Sequence, residues 1–111
     1  MNKILVINRD ELGEGNAELG KKLMGIFLRK LWANETKPDV IVLYNSAVKL
    51  AAEESTVLDA LDGLAKAGVD IVSCVTCIEF FGLKDKVKAG RISGMQEIVE
   101  SLMKTDNVIT I

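Results

Sequence analysis

The sequence predicts a single three-layer α/β/α domain spanning residues 1–111, built on a mainly parallel sheet of about five strands. Three observations carry that expectation. Short runs such as Ile4-Leu5-Val6-Ile7 and Val40-Ile41-Val42-Leu43 are apolar at every position, as strands covered on both faces are. They alternate with longer segments whose apolar residues recur every three or four positions, and a parallel crossover needs such an intervening segment. At 111 residues the chain is long enough to bury one core and too short for a second.

Taken in order, Lys3 to Asn8 is the first strand, and Arg9-Asp10-Glu11-Leu12-Gly13-Glu14-Gly15-Asn16 follows as a loop marked by its glycines and polar residues. Asn16 has the chemistry of a helix N-cap, since its side-chain oxygen can accept a free first-turn N–H. From Ala17 to about Ala33, Leu19, Leu23, Ile26, Phe27 and Leu31 make one wide apolar face, with Lys21, Lys22, Arg29 and Lys30 on the wet side. The only proline, Pro38, sits in the loop before the second strand, Asp39 to Tyr44. A short helix to about Glu53 and a second one capped by Ser55 or Thr56 come next, the latter ended by Gly68. Val69 to Ser73 is the third strand. Ile78 to Phe81 reads as a single helical turn closed by Gly82, and Lys84 to Gly90 as a polar loop or a frayed helix. Arg91-Ile92 adds a short strand, and Ser93-Gly94-Met95-Gln96 has the spacing of a capping box. It starts a helix expected to bury Met95, Ile98, Val99, Leu102 and Met103 before a last strand at Asn107 to Ile111.

Composition narrows the function classes. Fourteen basic and sixteen acidic residues give a net charge of −2 with no block of one sign, which argues against nucleic acid or an anionic membrane as partner. Four consecutive apolar residues after Met1-Asn2-Lys3 are too few for a signal-peptide core or a membrane span, so a cytoplasmic protein is expected. An apolar fraction of 49% and a mean hydropathy of +0.23 are high for so small a chain, and they point to a homo-oligomer that covers part of that surface.

The chemistry converges on Ser73-Cys74-Val75-Thr76-Cys77-Ile78-Glu79-Phe80-Phe81-Gly82-Leu83, which holds both cysteines where a strand gives way to a helix. Unpaired N–H groups and the positive end of a helix dipole at such a junction favour thiolate over thiol. If the strands are parallel, the loops Arg9 to Gly15, Asn45 to Val48 and Cys74 to Cys77 share one edge of the sheet, where ligands bind in such folds. The absence of histidine removes Ser-His and Cys-His catalysis and leaves electrostatics to activate a thiol, from the helix turn or from Lys84, Lys86, Lys88 or Arg91 folding back. Two thiolates in one chain cannot fill a structural zinc site without a second subunit. Gly13-Glu14-Gly15 is a poor dinucleotide fingerprint: Glu18 stands at the third glycine position, and Asp10, Glu11 and Glu14 crowd the loop with carboxylates. For the cysteine pair the residues leave three readings open: two inert core residues, a dithiol redox pair, or a persulfide carrier that needs no cofactor.

On these residues the chain resembles the DsrE/YchN-like family of sulfur-relay proteins, and within it the carboxyl-terminal domain of YedF-type selenium metabolism proteins. The resemblance is carried by Gly13-Glu14-Gly15 with Glu18-Leu19-Gly20, by Leu43-Tyr44-Asn45-Ser46-Ala47-Val48-Lys49-Leu50-Ala51, and most specifically by the cysteine stretch. It implies a trimer or hexamer, with Cys77 as the persulfide-carrying residue and Cys74 as a neighbour able to resolve the persulfide or pair with it. Asn45, Ser46 and Lys49 would form a shell around the sulfur or selenium species. Val75 stands where similar sequences have glycine. A TusA-like domain accompanies YedF-type proteins and is not found in this sequence, so a TusA-like donor would be a separate chain among the donor and acceptor partners.

Overall fold

A computed structural model describes residues 2–111; Met1, the first residue of the stretch scanned for a leader, lies outside them. The strands are β1 (Ile4–Ile7), β2 (Val40–Leu43), β3 (Asp70–Cys74), β4 (Arg91–Ser93) and β5 (Val108–Thr110). They form one sheet in the order β4-β3-β2-β1-β5, and every pair is parallel. The helices are α1 (Ala17–Ala33), α2 (Leu58–Lys66), α3 (Val75–Phe80) and α4 (Met95–Met103), and a 3₁₀ helix covers Asn45–Ala51. The domain is therefore three-layered α/β/α.

The strand order explains how the layers are filled. From β1 to β4 the chain steps one strand at a time in the same direction, and right-handed crossovers place every intervening helix on one face. The return from β4 to β5 runs back across the whole sheet, so α4 lies on the opposite face. On the first face Leu5, Ile7, Ile41, Leu43 and Ile71 pack against Met24 and Leu28 of α1, Leu61 and Leu64 of α2 and Ile78 of α3. On the second, Ile4, Val6, Val42, Val72 and Cys74 meet one fully buried helical residue, Ile98.

Asn16 caps α1 as expected, its Oδ1 accepting the Leu19 N–H at 2.8 Å. The inward side of α1 is only partly the expected one: Phe27 and Leu31 pack on the first core, but Leu19, Leu23 and Ile26 do not. Met24 and Leu28 are buried in the core against the sheet, with Gly20 under the Glu11–Leu12 loop and Gly25 beside Val57, while Leu19 and Ile26 are 54% and 47% exposed. Small residues at 20 and 25 let the helix settle close to its neighbours, and the bulkier stripe is turned outward. Where α1 meets α2, the Trp32 indole lies directly on Gly63, where a Cβ would fall 2.1 Å from the ring. The start of β4 is equally tight: Gly90 has φ +71°, and a Cβ there would sit 2.5 Å from the Ile71 carbonyl oxygen, so only glycine fits.

Three further expectations are corrected. Ser55 does not cap α2 from the N-cap position; its hydroxyl accepts the Val57 N–H at 3.1 Å just ahead of the helix. The capping box at residues 93–96 does not form. Ser93 is the last residue of β4, its hydroxyl donates to the Glu97 carboxylate, and Gly94 is the N-cap of α4 with no side-chain bond. Glu97 is also gripped by Arg91, whose Nη1 and Nη2 donate to Oε1 and Oε2 at 2.9 and 2.7 Å while its Nε and Nη2 hold Asp70 at 2.9 Å. One guanidinium thus joins β3, β4 and α4. On α4, Met95, Val99 and Met103 face outward with Ile98 alone fully buried, because one helix over a narrow sheet presents only one ridge to it.

Candidate functional site

Since all strands are parallel, the three loops predicted to share the carboxyl edge of the sheet do so. Two bonds fasten them: the Asp10 N–H donates to Ser46 Oγ at 3.0 Å, and the Asn45 N–H donates to Cys77 Sγ at 3.0 Å. The second bond needs an unusual backbone. Asn45 has φ +50°, the only non-glycine residue in the left-handed region among those described, and asparagine tolerates that region better than most side chains. The Asn45 N–H is a first-turn donor with no partner inside the 3₁₀ helix that Asn45 begins, and the sulfur satisfies it.

Cys74 ends β3 and is the N-cap of α3; Cys77 lies one turn on. Strand alternation sends the Cys74 side chain into the core of the second face, where it is 1% exposed. Cys77 is half-buried and touches both cores, capping the sheet edge between them. Both thiols are free. Among the described residues no group of three or more His, Cys, Asp or Glu side chains is gathered as a metal site would require.

The expectation of a thiolate at the helix start is overturned for Cys77. Burial pushes its pKa above the ordinary thiol value, and the neighbouring Cys74 thiol adds to the rise. The Asn45 amide and the backbone N–H of Cys77 itself oppose this without overcoming it. A helix of six residues supplies too little dipole to offset the lost hydration. Arg91 cannot supply the missing charge either, since Asp70 and Glu97 occupy it.

The proposed shell residues take separate places. Asn45 reaches the sulfur through its backbone. Ser46 is spent on the Asp10 amide, which fixes the loop after β1. Lys49 lies over the Phe81 ring, its Nζ 4.5 Å from the centroid, and lines a cleft of about 570 Å³ together with Asp10, Lys21, Glu53 and Lys86. Cys77 is not part of that lining. The glycine loop offers no cradle for phosphate, because the Asn16 side chain already occupies the start of α1 and the Leu12 N–H is taken by the Gly20 carbonyl. Tyr44 was missed by sequence reasoning. It follows β2 on the side of Val40 and Val42, packs on the same core as Cys74 and Cys77, and directs its hydroxyl to Met95 Sδ at 3.9 Å. The alternation Val40, Val42, Tyr44 was the available signal.

The backbone is similar to that of the ychN protein from E. coli, with 19% identity over all of both chains and a TM-score of 0.73. It is also similar to MTH1491 from Methanobacterium thermoautotrophicum, a protein of unknown function, at 20% identity over 99% of this chain and 98% of that one, with a TM-score of 0.73. The protein of unknown function BT1422 from Bacteroides thetaiotaomicron shares 18% identity over 98% of this chain and 95% of that one, with a TM-score of 0.64. At these identities the likeness is one of fold. No curated protein matches the sequence. The model of the DsrE/DsrF-like family matches residues 3–111, a span that includes all five strands and both cysteines, and the chain belongs to that family.

Proposed function

We propose that this protein is a small sulfur or selenium relay protein that carries a persulfide on Cys77 and hands it from a donor to an acceptor protein. The observation that carries the proposal is the Asn45 N–H held 3.0 Å from the half-open Cys77 sulfur. A main-chain donor aimed at sulfur stabilises negative charge there, both when the thiol attacks and when it leaves. Loading conserves atoms and charge: Cys77 sulfur bonds to the outer sulfur of a donor persulfide, the donor's S–S bond breaks, and the proton of the Cys77 thiol ends on the departing donor thiol. A persulfide is a stronger acid than its parent thiol, so a site that keeps Cys77 protonated still holds the loaded form as an anion. Membership of the DsrE/DsrF-like family supports the reading. The outward apolar stripes of α1 and α4 support assembly into a homo-oligomer. Among the described residues no helix is long and apolar enough to cross a membrane.

Incubation with polysulfide, or with a cysteine desulfurase and cysteine, followed by intact mass measurement, tests this. The gain of one sulfur is expected in the native chain and in Cys74→Ala, and none in Cys77→Ala. No adduct under any condition favours a scaffold subunit with silent cysteines. A second reading, a dithiol redox pair, is favoured by the placement of Cys74 at the N-cap and Cys77 one turn later. It predicts instead a reversible loss of two hydrogens in the native chain. The raised pKa of Cys77 gives a separate check: its alkylation by iodoacetamide is expected to quicken about tenfold per pH unit and to be still climbing at pH 9. A plateau near neutrality would show a thiolate site.

A further inference from the structure

Tyr44 borders the cysteine site from the second face. The peptide linking it to Asn45 is the one whose N–H meets Cys77 Sγ, so the tyrosine backbone is fixed beside that sulfur. Its ring packs on the core that contains Cys74 and that Cys77 also touches. The hydroxyl is weakly engaged: its hydrogen bond goes to the Met95 thioether, a poor acceptor, at 3.9 Å. Burial chiefly pushes the phenol above its ordinary pKa, with the two neighbouring cysteines adding to the rise, so it remains a donor through the neutral range.

We propose that the Tyr44 hydroxyl leaves Met95 to donate to the outer sulfur of a Cys77 persulfide, while the Asn45 amide holds the inner one. The proposal deepens the carrier reading and rests on it. The two donors have different tasks in discharge to a thiol acceptor. The acceptor thiolate bonds to the outer sulfur, the bond from that sulfur to Cys77 breaks, and the electron pair stays on Cys77 sulfur beside the Asn45 N–H. An outer sulfur that is a bare anion repels the incoming thiolate. A hydrogen bond from Tyr44 withdraws that charge and makes the outer sulfur the easier one to attack. The acceptor departs as the persulfide, and Cys77 regains a proton from solvent.

The test loads the native chain, Tyr44→Phe and Met95→Leu with polysulfide, confirms one added sulfur by mass, and follows discharge to glutathione at fixed pH. Tyr44→Phe keeps the ring and is expected to load fully but to discharge about tenfold more slowly, the size expected for one lost hydrogen bond to a charged group. Met95→Leu removes the resting acceptor of the phenol and is expected to discharge at least as fast as the native chain. Equal rates for Tyr44→Phe and native overturn the role of Tyr44 and leave the carrier standing. A slowing in Met95→Leu as large as that in Tyr44→Phe assigns the effect to packing and also overturns it. Failure of the native chain to load overturns both readings together.

Discussion

The two faces of the sheet are built to different standards. The first is covered by three helices and the 3₁₀ segment, and its core runs from Leu5 to Ala89 with helical residues such as Leu28, Leu61 and Leu64 wholly buried. The second is covered by α4, whose one fully buried side chain is Ile98. The difference follows from strand order, since three crossovers fall on one side and only the return falls on the other. Stability is thus concentrated on one side of the sheet, while Cys74, Tyr44 and the second flank of Cys77 lie on the more lightly held side.

Cutting into the thick face should have the largest effect. Leu61→Ala removes most of a fully buried side chain from between α2 and the sheet, and is expected to cost about 2–5 kcal/mol of global stability in urea titration. Ile98→Ala sharpens the contrast. It is expected to cost about 2–3 kcal/mol at most, with amide exchange quickened through α4 and β5 while α1 stays protected. Equal loss of protection in α1 would show that the two faces unfold as one unit.

Acid acts on the thin face through Glu97. The Arg91 guanidinium, and then the Ser93 hydroxyl, hold the Glu97 carboxyl down to about 2. A depressed folded-state value stabilises the fold above the ordinary carboxylate pKa of 4.5, and that contribution fades as pH falls from there toward 2. Glu97→Gln should therefore flatten the melting temperature across that window, with a small change because the group is exposed. The smallest effect on monomer stability is expected from Val99→Gln, on the outward side of α4, within about 0.5 kcal/mol. If that stripe is covered in a homo-oligomer, the same change lowers the mass measured by light scattering.

Much of this plan was legible in the residues. All five strands were, β1 and β2 most plainly because four-residue runs of Ile, Val and Leu admit few other uses, and so was their parallel arrangement. Strand order was not, since no local pattern records which neighbour a strand takes. The inward side of α1 was legible only in part, at Phe27 and Leu31, because the helix carries two apolar stripes. Periodicity detects both equally, whereas the glycines at 20 and 25 that mark the packed one have no hydrophobicity to detect. The cysteines were found by type and spacing. Their chemistry was only partly foreseen, because the rise in the Cys77 pKa comes from a burial that the residues around it in the chain do not reveal.

The donor that meets Cys77 belongs to the main chain, which makes it invisible to any comparison of side-chain identities. Substitution at Asn45 cannot delete that amide short of proline; it can only move it, by changing how readily the backbone adopts its left-handed twist. Glycine at that position would preserve the contact, and valine or isoleucine would pull it away from the sulfur with every side chain of the site still present. A descendant of this sequence could thus lose its chemistry while keeping both cysteines intact.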